Sequence, residues 1–301
     1  MPVTSTDVIE RTVHINAKPE TVFAFLSNPD RLSGWAGRST TMDPRPGGLF
    51  RIDYNGFDIM RGQFVEVTPP SRIVFTWGWE SLGDQTRPGA STVTVTLEPE
   101  GDGTRLRLVH EGLAAMDVQP HSEGWDFFLS RLGTVAEGGT VEPFAPPLNE
   151  SEEYASRLNT LLCELRTVLE EMPADRWTAM TGEEGRTVSM LAAHAAGHTG
   201  LAFLTRSVVL GEDSPVFAMT PEQMEVGNRE ADRANAGIAR EQVLADLRAQ
   251  GPAAVEIVKA FSSADLDAAR PMAFAGGQPV PVRMLLQGPL LTDLADHLAH
   301  I

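Results

Sequence analysis

A single cysteine, Cys163, excludes an internal disulfide and any zinc cage built from thiolates alone. Its neighbours Leu161, Leu162 and Leu165 point to a buried structural thiol rather than a nucleophile. No stretch approaches the roughly 18 apolar residues that a membrane-spanning helix requires. The opening MPVTSTDVIERTVHINAKP also lacks a basic-then-apolar signal pattern, so a cytoplasmic location is expected. Basic residues are scarce: 24 Lys and Arg stand against 41 Asp and Glu, a net charge of −17. That balance argues against a phosphate-tracking nucleic-acid surface and against a patch for anionic membranes. No Ser–His–Asp arrangement and no phosphate-loop spacing occurs, and the glycine-rich places fall at turns.

What the chain does have is enough apolar residue, 42% of 301, for two sizeable cores. The stretch 138–149, GGTVEPFAPPLN, separates them. Three prolines and a glycine pair deny it both a helix and a central strand, so an exposed linker is expected between domains 1–137 and 150–301. Before it, apolar residues alternate as in strands. After it, they recur at helical spacing.

In the first half, Val8–Asn16 reads as a strand, Pro19 opens a short helix, and a second short helix carries Leu32 and Trp35. Turn signals at Pro46-Gly47-Gly48, Asn55-Gly56, Pro69-Pro70 and Gly101-Asp102-Gly103 bound strands Leu49–Tyr54, Phe57–Val67, Arg72–Glu80, Ala90–Glu98 and Thr104–Glu111. Alternation puts Ile73, Phe75, Trp77 and Trp79 on one face, and Leu106, Leu108 and His110 on another. Met116 to Ser122 reads as a loop and a candidate lid. A long helix with Trp125, Phe128, Leu129, Leu132 and Val135 at helical spacing closes the domain. The expected fold is an antiparallel meander with one buried face.

The phrases VHINAKPETVFAFLSNPDRLSGW, GQFVEVTPPSRIVFTW and HEGL…HSEGWDFFLSRL resemble the Aha-type, START-related SRPBCC proteins over residues 8–136. The resemblance implies an α+β helix-grip fold, a curved sheet around the last helix and an elongated apolar cavity. Members include co-chaperones of a heat-shock ATPase, polyketide carriers and cyclases, and proteins of self-resistance to enediynes. The co-chaperone reading fits less well, because a different domain is appended on the C-terminal side. The implied partner is an apolar small molecule, aromatic or polyketide-like, and the candidate contacts are Phe75, Trp77, Trp79, His110 and Trp125. For the aromatic face, core filling stands beside cavity lining. For His110, a hydrogen-bonded place near the sheet rim stands beside ligand contact.

In the second half, helices are expected over Ser151–Met172, Thr187–Leu210 (capped by Thr187, ended by Gly211), Arg240–Phe261 and from Val282 to the end. Gly251-Pro252 should kink or break the third, and Gly288-Pro289 should bend the fourth. Residues 221–233 are read as a short outer helix or a crossover, and 276–281 as a loop. Four helices with one long connection make an all-α four-helix bundle. MPADRWTAMTGEEGRTVSMLAAHAAGHTGLAFL and PVPVRMLLQGPLLTDLADHLAHI resemble the DinB and mycothiol-dependent maleylpyruvate isomerase superfamily. The resemblance implies a divalent metal, zinc- or nickel-like, on His194, Asp293 and His297, with an aspartate where histidine is commoner. It also implies a low-molecular-weight thiol as co-substrate. The spacing agrees, since residues four apart share a helix face. The alternative is that His194 and Asp293 satisfy each other, with His198 and His300 outside the set. Two functions therefore stay open. One is a binding protein for an apolar metabolite, in natural-product resistance or biosynthesis; the other is a metal-dependent thiol S-transferase or isomerase.

Overall fold

A computed structural model of the chain describes residues 8–83, 85–182 and 185–301. The first seven residues of the stretch read for a signal lie outside the described residues. Contacts divide the chain into two units, Met1–Pro147 and Leu148–Ile301.

In the first unit, alternation builds the sheet. β1 (Val8–Ile15) is followed by α1 (Pro19–Ser27), α2 (Pro29–Ala36), β2 (Ser39–Met42), β3 (Leu49–Asp53), β4 (Ile59–Thr68), β5 (Arg72–Trp77), β6 (Trp79–Glu80), β7 (Ser91–Glu100), β8 (Gly103–Glu111) and α3 (Val118–Ala136). The antiparallel strands lie in the order β1-β8-β7-β5-β4-β3-β2, with β6 on β4. β7 buries Ser91, Val93, Val95 and Leu97, and β8 buries Thr104, Leu106, Leu108 and His110. Together with Phe64, Phe75, Trp77, Leu129 and Leu132 these make one core between sheet and helices. Such a sheet packed against a long final helix is consistent with the helix-grip fold.

Three details depart from expectation. β2 is polar, Ser39-Thr40-Thr41, and exists because it pairs with β3. The Arg72–Glu80 run divides at Gly78. A Cβ there would lie 1.8 Å from the Arg87 carbonyl oxygen, so only glycine lets that segment cross the strand. The Trp79 N–H then bonds to the Thr86 carbonyl at 2.7 Å. Finally, the expected linker is anchored over its first half. Val141 and Phe144 pack on the core, Phe144 stacks on Phe128 with centroids 5.4 Å apart, and Arg131 donates to the Glu142 carbonyl at 2.7 Å.

The second unit is mainly helical. α4 (Glu150–Glu171) starts in a capping box of Asn149 with Glu152, one residue ahead of the expected Ser151, and buries Leu158, Leu162, Leu165 and Leu169. The expected Thr187–Leu210 helix keeps its Thr187 cap and its Gly211 stop but divides at His198 into α5 (Val188–Gly197) and α6 (Thr199–Leu210). Residues 221–234 form a full helix, α7 (Pro221–Ala234), capped by Thr220. α8 (Arg240–Lys259) runs through Gly251-Pro252 without a break. Val243, Leu247, Ala254 and Val258 are buried on both sides of the proline, and α8 packs on α4 and α6. Burying one Val or Leu side chain contributes roughly 1.5–3 kcal/mol, so several together exceed the ~3 kcal/mol cost of an interior proline.

After α9 (Ser263–Asp267), the residues read as a loop form a hairpin, β9 (Ala269–Met272) with β10 (Gln278–Pro281). Gly276 and Gly277 turn it with φ of +64° and +77°. The last run is α10 (Val282–Leu285), a π-helical segment Leu286–Thr292 containing Pro289, and α11 (Asp293–His300). Among the described residues, no helix is long and apolar enough to cross a membrane.

Candidate functional site

Between the sheet and α3 of the first unit lie two hollows that share Tyr54, Trp77, Trp125 and Phe128 as walls. The inner one, about 50 Å³, is lined by apolar side chains that include Phe75, Leu106, Leu108 and Leu132. It has room for a small group and not for a ligand body, which takes roughly 300–1,000 Å³. The outer cleft, about 320 Å³, adds Trp79, His121, Asp58, Gln85 and Asp117 to the shared walls.

The indole edges in this region are committed. Trp77 and Trp79 both donate Nε1–H to Nε2 of His121, at 3.3 and 3.1 Å. His121 Nδ1 lies 2.7 Å from the Asp117 carbonyl, which can only accept, so the ring carries its proton on Nδ1. Trp125 donates to Nδ1 of His110 at 3.1 Å. The Ser91 hydroxyl donates to the Trp77 carbonyl at 3.1 Å, so His110 Nε2–H donates to Ser91 Oγ at 2.9 Å. Burial, then the neighbouring His121, pushes the His110 pKa down to about 3. Burial likewise lowers that of His121, against the raising effect of its bond to Asp117. Both imidazoles are therefore neutral at pH 7.

Asp117 ties this corner to the 85–90 segment. Its Oδ2 accepts from Thr86 N–H at 2.7 Å and from Thr86 Oγ1 at 2.5 Å. The residues read as a lid, 116–122, are accordingly the pinned first turn of α3 and the short 3₁₀ turn before it.

Of the expected contacts, Phe75 lines the inner hollow, Trp79 the outer cleft, and Trp77 and Trp125 both. His110 lines neither. It is 0% exposed behind Trp77 and Trp125, with both nitrogens bonded, which is the hydrogen-bonded alternative. From sequence, His121 reads only as a residue at the start of the long helix, with no chemical role. Its indole partners stand 42 and 44 residues away, and no local pattern links them.

The family described as Activator of Hsp90 ATPase homolog 1-like protein matches residues 16–137. An AHSA1-like protein from Rhizobium etli is 37% identical over 48% of this chain and 91% of its own, with a TM-score of 0.39. The first unit belongs to this family. DynU16, a protein in the dynemicin biosynthetic locus, is 24% identical over 46% of this chain, with a TM-score of 0.40; the chain spans 49% of DynU16. CalU16 from Micromonospora echinospora is 25% identical over 44% of this chain and 75% of its own, with a TM-score of 0.36. No curated protein matches the chain.

Beyond the AHSA1-like domain, the second unit has an open cleft of about 560 Å³ whose walls include Arg186, His194, His198, Asp293 and His297. His194, His198 and His297 offer ring nitrogens that all lie within 4.8 Å of one another, and their ring centroids are 4.9–5.3 Å apart. His194 and His297 are thus brought together, with His198 as the third member of the group. Asp293 lines the same cleft and its charge reaches His198, but it is outside the mutually close group. The i, i+4 spacing of His194 and His198 was as readable a signal as that of Asp293 and His297.

His198 Nδ1 bonds to the Pro289 carbonyl at 2.7 Å, so Nδ1 holds the proton and Nε2 the lone pair. The widened π-helical turn supplies that carbonyl. Burial, then His198, brings the His194 pKa down to about 4. Burial also lowers that of His198, so both rings are neutral and competent as ligands at pH 7. Beside them, Asp232 on α7 accepts from Arg186 Nε through Oδ2 at 2.9 Å. Among the described residues its Oδ1 is buried without a hydrogen-bond partner, 4.0 Å from His194 Nδ1 and too far for a hydrogen bond.

His110 generates a pH prediction. Its folded-state pKa of about 3 lies below the ordinary 6.5. The unfolded chain therefore binds the extra proton first, and stability present above pH 6.5 is lost as pH falls toward 3. Urea unfolding followed by tryptophan fluorescence should show the first unit losing on the order of 1 kcal/mol per pH unit between pH 6 and 4. His110→Gln should flatten that slope. An unchanged slope in the variant contradicts the assignment.

Proposed function

We propose that the AHSA1-like domain binds an apolar, aromatic or polyketide-type small molecule across its two hollows. The observation that carries this reading is an open aromatic cleft whose three indole edges are all tied to neutral imidazoles. An aromatic wall that merely filled a core would leave no such cleft beside it. The volumes divide the work: the ligand body lies in the outer cleft against Trp79 and Trp125, and a small apolar group enters the inner hollow. The setting we propose is cytoplasmic sequestration or processing of such a metabolite, in natural-product self-resistance or biosynthesis. It rests on the sequence resemblance described above.

A tricyclic aromatic ketone should quench tryptophan fluorescence saturably. Trp79→Ala, at a half-buried position, should weaken that binding about tenfold, since one aromatic contact contributes on the order of 1 kcal/mol or more. Failure of every apolar probe to saturate, or full affinity in folded Trp79→Ala, would falsify the reading.

A second reading is favoured by one observation, the three converging imidazoles with a buried, half-satisfied carboxylate beside them. In it, the second unit is a DinB-like four-helix bundle, with α4, α5–α6, α8 and the 282–300 run as its legs. His194, His198 and His297 would hold a divalent metal, zinc- or nickel-like, and three nitrogen donors with an open cleft suit a catalytic site. Such an ion would lower the pKa of a small thiol and present it as a nucleophile, in S-transfer or isomerisation. Arg186 and Asp232 stand where they can order His194. Metal analysis after dialysis against zinc should give about one ion per chain, lost in His198→Ala and His297→Ala and retained in Asp293→Asn. Zinc retained by His198→Ala, or absent from the unaltered protein, contradicts this reading.

A further inference from the structure

The outer cleft of the first unit joins two features that a neutral apolar ligand does not need together. Tyr54, Trp77, Trp79, Trp125 and Phe128 supply five aromatic walls, and among the described residues Asp58 and Asp117 supply the only charged side chains of the lining. No lysine or arginine lines it among the described residues. His121 adds no charge, because burial lowers its pKa and its Nε2 already accepts two indole N–H groups.

This arrangement selects by charge. The faces of aromatic rings carry a negative quadrupole, which attracts cations and repels anions. The donors that could have welcomed an anion, the three indole N–H groups, are spent on His110 and His121. Burial, and after it the Asp58 charge, also raises the pKa of the Tyr54 phenol, so that wall stays neutral. A primary ammonium would give up strong hydration on entering. A tertiary or quaternary ammonium spreads its charge over methyl groups and gives up less.

We propose that the cleft receives an organic cation: the ligand carries a tertiary or quaternary ammonium group, seated among Trp77, Trp79 and Tyr54 with the Asp58 and Asp117 carboxylates beside it. This inference rests on the binding reading above and adds the chemical class of the ligand. The aromatic or aliphatic body of the same molecule extends toward Trp125 and the inner hollow.

The test is equilibrium dialysis of the full chain with three matched probes: benzyltrimethylammonium, its neutral carbon isostere neopentylbenzene, and phenylacetate. The cation should bind about tenfold more tightly than the neutral isostere, the difference that one well-placed cation–π site provides, and phenylacetate should bind most weakly. Asp58→Asn should weaken the cation several-fold and leave the neutral probe unchanged. Circular dichroism checks that this variant is folded. A neutral probe that binds as well as the cation, or an Asp58→Asn variant that weakens both equally, overturns the inference while the apolar binding site stands. Binding by none of the three overturns the inference, and saturable quenching by the tricyclic ketone then shows whether the binding reading stands without it.

Discussion

One imidazole nitrogen, Nε2 of His121, accepts the N–H groups of Trp77 and Trp79, and the cleft of the first unit depends on that shared acceptor. Two indoles on either side of Gly78 would otherwise need separate partners, because a buried donor without one costs about 1–3 kcal/mol. A single lone pair serves both only while the ring is neutral and its proton sits on Nδ1. The Asp117 carbonyl enforces that tautomer, and Asp117 is in turn pinned through its side chain to Thr86. Thr86 reaches this point because Gly78 allows the 85–90 segment to cross between the two tryptophans. Sequence, turn, tautomer and aromatic wall form one chain of dependence, and each link fixes the next.

The second unit uses the same local device to a different end. His198, like His121, is held by a main-chain carbonyl at Nδ1, here that of Pro289 in a π-helical turn. In the first unit the remaining nitrogen is consumed by two donors. In the second, it is directed toward two more imidazoles. A bonded imidazole is a structural part, whereas the second unit brings one ring nitrogen from each of three histidines to within 4.8 Å of one another.

Much of this was legible in the sequence because local periodicity reports burial. The alternation in Arg72–Glu80 gave the aromatic face, and the helical spacing of Trp125, Phe128 and Leu132 gave the gripping helix. What was not legible depends on partners distant in the chain. β2 is too short and polar to announce itself and exists through pairing with β3. Pro252 carries a local penalty that the packing of α8 outweighs. Phe144 reads as part of a linker until Tyr54 and Phe128 come to meet it. The histidine pairs show the limit most clearly. His194 with His198 and Asp293 with His297 have identical spacing, and only the three-dimensional arrangement selects the first pair plus His297.

Nitrogen-15 NMR of the His121 ring in the resting protein at pH 7 tests the shared acceptor most directly. The account predicts a neutral ring with a protonated Nδ1, a bare Nε2, and cross-peaks from both the Trp77 and Trp79 indole N–H groups to that bare nitrogen. A proton on Nε2, whether as the other tautomer or as an imidazolium, would contradict it.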